Sequence, residues 1–274
     1  MKFPLICPVC GDAMTQEPSR AVCERGHSFD RARQGYFHLL PQKGAGGHGD
    51  DAEMLLCRRR FLDAGHYAFF ADAVADCVAR LTPVGGLVLD AGCGEGYYTR
   101  KMRDALEKEG RGARICAFDI ARDAVRLTAS RMEKRGLFFV ASTFHVPLES
   151  GCVDVITSLF SPYAEEEFLR LLRPGGILIR AVPLEEHLFE LKQAVYEHPT
   201  RNEKKAEIGA GFTLLAETSH RALLRLSGRE QIEALFGMTP YAHKTSPQDR
   251  QKLSALESLE ARAEFGLICY QKKK

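Results

Sequence analysis

The chain has 274 residues, with 38 lysines and arginines against 36 aspartates and glutamates, so its formal net charge is only +2 at pH 7. That balance excludes a globally polycationic protein, and any nucleic-acid surface has to be a local patch. Hydrophobic residues at 45% and charged residues at 27% exclude global disorder. No apolar run approaches the ~18 residues of a membrane span, and Pro4 and Pro8 interrupt the apolar amino terminus, so the sequence predicts a cytoplasmic protein. The nine cysteines are odd in number, and those after Cys23 are scattered through apparent helices and strands, which points to reduced thiols.

Cys7-Pro-Val-Cys10 places two thiols in a tight turn, and Cys23 and His27 follow after twelve intervening residues, with three residues between them. Soft sulfur and imidazole ligands at this spacing suit one tetrahedral zinc ion with no open coordination position, and hence a structural one. A segment of about 40 residues has too little core to fold cheaply without such a staple. The competing reading is a thioredoxin-like redox pair. That motif should open a helix after a strand, which Pro8 and the downstream Cys23 and His27 fit poorly.

Residues 41–50 are glycine-rich and read as a boundary or mobile loop. Asp51 then caps a predicted helix through Asp63, with Met54, Leu55, Arg58 and Leu62 at helical spacing and Gly65 as the stop. A second helix is predicted from Tyr67 to Leu81. From Gly86 short β-rich runs alternate with amphipathic stretches, the mark of a parallel sheet covered on both faces. Strands are predicted at Leu87–Asp90, Arg114–Asp119, Leu137–Ala141, Val153–Leu159 and Ile177–Val182, with a helix after each of the first four. A helix follows Pro183 through Tyr196, and a polar stretch covers residues 197–211. Ala222–Leu226 and Glu264–Tyr270 then read as a closing hairpin at the sheet edge, with a helix containing Gln231–Phe236 between them. The predicted class is α/β, doubly wound and Rossmann-like, with a mostly parallel seven-stranded sheet.

Leu87-Val-Leu-Asp90-Ala-Gly92-Cys93-Gly94-Glu95-Gly96 is an apolar strand that ends in an acid and turns through alternating glycines into a helix. Glycines let a backbone turn sharply and approach a ligand closely. The next strand ends at Asp119-Ile120, where a carboxylate can accept both hydroxyls of a ribose. A nicotinamide cofactor competes for this pattern. Its fingerprint is G-x-G-x-x-G, however, and Asp90 would repel a pyrophosphate, whereas an acid there suits the ammonium of a methionine moiety. S-adenosylmethionine is the predicted guest, and Leu171-Leu-Arg-Pro174-Gly-Gly176 resembles the turn common in class I methyltransferases.

Further blocks are Cys23-Glu-Arg-Gly-His27-Ser-Phe-Asp30, Gly35-Tyr36 through Leu39-Leu-Pro41, and Gly49-Asp-Asp-Ala-Glu-Met54. Arg59-Arg-Phe-Leu-Asp-Ala-Gly65-His66-Tyr67 and Met238-Thr-Pro240 complete the set. Together with the two motifs above they resemble the RlmA-type bacterial 23S rRNA guanine-N1-methyltransferases along nearly the whole chain. The resemblance implies that Cys7, Cys10, Cys23 and His27 hold zinc and that Tyr67, Cys93, Gly94 and His187 touch the cofactor. It also implies a 23S rRNA hairpin as partner and a homodimer. The expected cofactor site is thus Tyr67, Asp90, Gly92, Cys93, Gly94, Glu95, Gly96, Asp119, Ile120 and His187. The expected organisation is a zinc-binding RNA-recognition module over 1–40, a linker with helices over 41–85, and a methyltransferase domain over 86–274.

The reaction this implies is in-line methyl transfer to guanine N1, whose proton must leave to a base or to solvent; the sequence names no base. Phe160, Ser161, Pro162 and Tyr163 follow the fourth strand, where class I enzymes commonly build the acceptor side, and the two aromatics are candidates to stack a flipped base. They could equally close the core. The basic runs Arg58–Arg60 and Lys272–Lys274 are candidate phosphate contacts. Arg20, Arg25, Arg31 and Arg33 with Tyr36 and Phe37 are a candidate cationic, aromatic face for RNA. Two alternatives stay open: a methyltransferase of a small molecule, and a catalytically silent RNA-binding assembly factor, against which Asp90, the glycines and Asp119 argue.

Overall fold

The computed structural model describes residues 3–41, 49–203, 208–242 and 244–273. Most of the glycine-rich stretch (42–48) and Lys274 of the basic tail lie outside the described residues. The amino-terminal strands β1 (Met14–Gln16), β2 (Arg20–Cys23) and β3 (Ser28–Asp30) form a small antiparallel sheet, and β4 (Tyr36–His38) follows. The Asp51 side chain accepts the Met54 N–H at 2.8 Å and so caps α1 (Ala52–Asp63), as the sequence predicts. After α2 (Ala68–Leu81) come β5 (Leu87–Ala91), α3 (Tyr97–Lys108), β6 (Arg114–Asp119), α4 (Arg122–Arg131) and β7 (Leu137–Val140). Then follow β8 (Val153–Leu159), α5 (Glu165–Leu171), β9 (Leu172–Pro183), α6 (Phe189–Val195), β10 (Phe212–Ser227), α7 (Arg229–Gly237), α8 (Pro247–Ser254) and β11 (Ser258–Lys272).

Among the described residues the main sheet has eight strands in the order β10-β11-β9-β8-β5-β6-β7-β4. Strands β4 to β9 are parallel, and β11 and β10 close one edge antiparallel, which is the predicted hairpin. The predicted count of seven is corrected by β4. It runs parallel to β7 with Phe37 opposite Phe139, and Tyr36 and Phe37, 4% and 0% exposed, enter the clusters on opposite faces of the sheet. A three-residue strand is too short to show a period.

A second correction concerns the interval between β7 and β8, where a helix was expected. Residues 141–152 form turns and isolated bridges instead, and Pro147 and Gly151 interrupt the stretch. The zinc-ligand module docks there. Leu5 bridges Leu148, the Ile6 N–H donates to the Pro147 carbonyl at 3.0 Å, and the Glu149 N–H donates to the Pro4 carbonyl at 2.9 Å. Leu5, Met14, Phe37 and Leu39 join Leu89, Phe118 and Phe139 in one buried cluster, so the module covers the face that a crossover helix would cover. The opposite face carries α2, α3 and α4, through Phe70, Val74, Met102 and Val125 among others.

The predicted helix through Tyr196 shortens to α6, because residues 184–188 are drawn into turns by bonds such as Leu184 N–H to the Glu264 carbonyl. The helix α8, capped by the Ser246 hydroxyl, was not predicted.

Since β4 belongs to the main sheet, a chain starting at residue 41 should show no single cooperative unfolding transition in urea. Phe37→Ala, which empties a fully buried site, should cost about 3–5 kcal/mol in the same measurement.

Candidate functional site: a four-ligand metal cluster and a cofactor crevice

The ligand atoms of Cys7, Cys10, Cys23 and His27 all lie within 4.8 Å of one another. Cys10 Sγ is 3.7 Å from Cys23 Sγ, and His27 Nδ1 is 3.5 Å from Cys7 Sγ and 3.4 Å from Cys23 Sγ. A tetrahedral zinc with bonds of ~2.3 Å to sulfur and ~2.0 Å to nitrogen needs ligand separations of roughly 3.5–3.8 Å, so the donor set and its spacing fit the ion. Nδ1 is the ligating nitrogen of His27 in this arrangement.

The cofactor crevice is built where β5 lies between β6 and β8, the point at which the strand order reverses. Asp90 is 1% exposed, and its two oxygens accept the hydroxyls of Thr99 at 2.6 Å and Thr157 at 2.9 Å. Burial pushes this carboxyl up to about 6, against the pull of those two hydrogen bonds. A carboxylate has about four acceptor sites, so its hydroxyl partners leave capacity for an ammonium.

Gly92, with φ +82°, lets Ser161 lie against the loop; a Cβ there would stand 2.5 Å from the Ser161 Cβ. Gly96, with φ +86°, is equally required by Thr128, whose Cα would be 2.9 Å from an added Cβ. The N–H groups of Gly92 and Cys93 both donate to the Phe118 carbonyl at 3.0 Å, which fixes the loop beside the end of β6. There Asp119 accepts the Gly94 N–H at 3.0 Å and the Ala121 N–H at 2.9 Å. Burial raises its carboxyl while these backbone donors oppose the rise. Ile120 lines the same tip, packed against Gly49, where an added Cβ would come within 2.9 Å of the Ile120 Cγ2.

Glu95 is drawn into a buried ion pair: its Oε2 accepts from Arg131, which also pairs with Asp63 at 2.7 Å, while Oε1 has no partner among the described residues. Tyr67 is buried at the start of α2, its ring edge-on to Phe265 at 4.9 Å and its hydroxyl unpartnered. An orphaned buried hydroxyl facing other aromatic and polar groups fits a ligand-binding wall. His187 stands beside it, 6.3 Å from Tyr67 and 4.5 Å from Phe265 between ring centroids. His187 Nδ1 accepts the Glu264 N–H at 3.1 Å, which leaves the ring proton on Nε2. Burial drives this imidazole down to about 3, so it is a neutral donor at physiological pH.

On the acceptor side the structure separates the four predicted residues. Phe160 has φ +57°, a strained conformation for an aromatic residue, and is 45% exposed above Phe70 and Phe265, at 5.9 and 5.1 Å. Ser161 is turned to the loop, donating to the Ala91 carbonyl at 2.7 Å, and Pro162 is exposed. Tyr163 belongs to the other face, packed on Phe168 at 5.9 Å under the Arg180 guanidinium at 4.3 Å.

The expected aromatic RNA face of the zinc module is corrected, because Tyr36 and Phe37 are buried and Arg31 lies over the Phe37 ring at 4.4 Å. Arg20 and Arg25 are exposed and pair with Glu17 and Asp12 at 2.7 and 2.9 Å, and Arg33 is exposed. Lys272 is also taken, donating to the Leu169 and Leu172 carbonyls at 2.7 Å. Sequence reasoning missed Tyr98, whose hydroxyl is a second buried orphan near the crevice; the run Tyr97-Tyr98 after the glycines was its signal.

A parallel sheet whose first strand ends in an acid and a glycine turn, with a second acid at the next strand tip, defines a class I S-adenosylmethionine-dependent methyltransferase carrying a zinc ribbon. Family models agree in both parts: the RlmA N-terminal zinc ribbon matches residues 5–44 and a methyltransferase domain matches residues 84–231. A provisional 23S rRNA (guanine-N1)-methyltransferase of Micromonospora griseorubida is 36% identical over 266 residues, covering 89% of this chain and 88% of its own. The 23S rRNA (guanine(748)-N1)-methyltransferase of Streptomyces fradiae is 30% identical, with 89% and 88% covered. The chain belongs to the RlmA-type family of 23S rRNA guanine-N1-methyltransferases. A malonyl-[acyl-carrier protein] O-methyltransferase of Pectobacterium atrosepticum is 30% identical over 143 residues, 48% of this chain and 54% of its own. The crystal structure of YjhP from Escherichia coli shares the fold, with a TM-score of 0.50 at 15% identity over 83% of this chain and 98% of that one. Among the described residues no helix is long and apolar enough to cross a membrane.

Elemental analysis of the purified protein should find one zinc per chain. Cys23→Ala should lose the ion and lower the melting temperature, since Cys23 also lies in the shared core. For the cofactor, an ammonium held by Asp90 would lose its counter-charge when that carboxyl is protonated. Calorimetric affinity for S-adenosylmethionine should therefore fall roughly tenfold from pH 7 to pH 5, through about 6, and Asp90→Asn should bind more weakly with a flatter profile.

Proposed function

We propose that the protein methylates N1 of a guanine in a hairpin of 23S rRNA, acting in the cytoplasm, with S-adenosylmethionine as donor. The relatives named for that reaction span nearly its whole length, and the observation that carries the reading is Phe160. It is an exposed ring held in a left-handed backbone conformation, at the end of the strand next to the cofactor loop, where an unstacked base would find a platform.

The donor, when bound, supplies an electrophilic sulfonium methyl group. Asp90 holds an ammonium, Asp119 accepts ribose hydroxyls, and Tyr67 and His187 wall the crevice with one orphan hydroxyl and one neutral N–H donor. The N1 proton has to leave during transfer, and His187 is unsuited to take it, because its Nδ1 is occupied and its ring resists protonation. Positioning carries the remaining rate advantage.

The zinc ribbon presents exposed Arg20, Arg25 and Arg33, and α1 presents Arg59 and Arg60, as phosphate contacts for the hairpin. The homodimer implied by the family resemblance has a fitting surface in the edge strand β10, where Leu214, Leu215 and Leu223 are exposed.

Mass mapping of 23S rRNA after incubation with protein and donor should show one added methyl on a guanine. Phe160→Ala should slow that transfer about 10–100-fold with unchanged donor affinity. Transfer at the wild-type rate by the variant would remove the stacking role, and an unmodified rRNA would remove the substrate assignment.

A further inference from the structure

The basic run in α1 does not act as one surface. Helical spacing sends Arg59 and Arg60 to solvent, while Arg58 turns inward on the face that carries Met54, Leu55, Phe61 and Leu62. Its guanidinium lies on the glycine loop, with Nη1 3.4 Å from where a Gly94 Cβ would stand. The Arg58 side chain is only 24% exposed. Asp50 pairs with Nη1, and Nη2 reaches the Met238 carbonyl at 3.4 Å. Among the described residues these are its partners, and five N–H donors in a planar fork leave capacity for another acceptor.

Two further donors border the same space. The hydroxyl of Tyr98, in the first turn of α3, is buried without a partner and feels the Arg58 charge. The hydroxyl of Tyr67 is likewise buried without a partner. Arg58 also acts on Asp119 across the crevice.

A donor with a ribose, a sulfonium, an ammonium and a carboxylate presents one anion. Asp119 suits the ribose and Asp90 the ammonium, and neither can receive a carboxylate. A half-buried guanidinium beside an orphan hydroxyl can, because the groups offered are donors.

We propose that Arg58, assisted by the Tyr98 hydroxyl, binds the carboxylate of the methyl donor's amino-acid end, with Asp50 holding the guanidinium over the glycine loop. The proposal rests on the methyltransferase reading and deepens it. It removes Arg58 from the RNA-facing set and makes the amino-terminal helix a part of the donor site.

Calorimetry on the full chain with S-adenosylmethionine and with its decarboxylated analogue, which keeps the ammonium and the adenosine, separates the roles. Arg58→Ala should weaken binding of S-adenosylmethionine about 10–100-fold and leave the analogue within about twofold of wild type. Tyr98→Phe should show the same selectivity at roughly threefold to tenfold. Arg58→Lys keeps the charge and the aliphatic stem, and should recover part of the discrimination, which guards against a folding defect in the alanine variant. Equal losses for both ligands, or no loss for S-adenosylmethionine, would overturn the carboxylate assignment while leaving the methyltransferase reading intact. A wild-type protein that binds neither ligand would overturn both.

Discussion

The Asp90 carboxylate accepts one hydroxyl from Thr99 in α3 and another from Thr157 in β8, so a single buried charge ties the end of β5 to the helix after it and the strand beside it. Hydrogen bonds to a charged group contribute about 1.5–3 kcal/mol each, enough to hold an ionisable group that burial alone would neutralise. The junction sits where the winding of the sheet reverses and the strand ends part. With Asp119 fixed by the Gly94 and Ala121 amides, the loop is shaped before any ligand arrives. Everything proposed for the crevice depends on that fixed shape, including the near approach of Ser161 and Arg58 to the glycines.

The zinc ribbon is tied to this core as a layer of it. In a doubly wound sheet the crossover from β7 to β8 normally carries a helix that shields one face. Here the crossover is a run of turns, and the ribbon supplies the missing cover through Leu5 and Met14 while lending β4 to the sheet. The four ligands therefore stabilise more than their own loop: Cys7 and Cys23 are buried in the cluster that contains Leu89 and Phe118, the strands that lead to Asp90 and Asp119. The ligand cluster and the strands that form the candidate cofactor crevice thus share one buried core, although four protein ligands leave a zinc no open position for chemistry.

Much of this was legible in the residues. The strands Arg114–Asp119 and Val153–Leu159 have the predicted bounds, because buried parallel strands are continuous apolar runs flanked by turn residues. The Asp51 cap and the four zinc ligands were equally plain, being local patterns. What escaped was tertiary. Nothing local marks Tyr36–His38 as a strand of the main sheet, and its partner at Leu137–Val140 is remote in sequence. β10 runs far beyond its predicted core, since its exposed edge positions from Thr213 to Ser219 show no hydrophobic alternation and a register shift falls at Leu214/Ala216. β11 extends back to Ser258 through Leu259, Ala261 and Ala263, whose alternation with exposed neighbours was a signal in the residues themselves. Tyr163 and Phe160 look alike in sequence, yet a turn of three residues sends them to opposite faces. Arg58 was read as part of a charge run, although the period of its own helix already set it apart from Arg59 and Arg60.

The pairing of β4 with β7 has a consequence for the newborn chain. The ribbon emerges from the ribosome before the main sheet and can close around its metal early, but Phe37, though under Arg31, lacks its strand partner until Phe139 has been synthesised. Contacts so distant along the chain form slowly, because the closure of a long loop precedes their reward. Between those two moments an apolar strand hangs at the edge of an unfinished sheet, a natural point of attachment for a chaperone and a hazard when translation stalls.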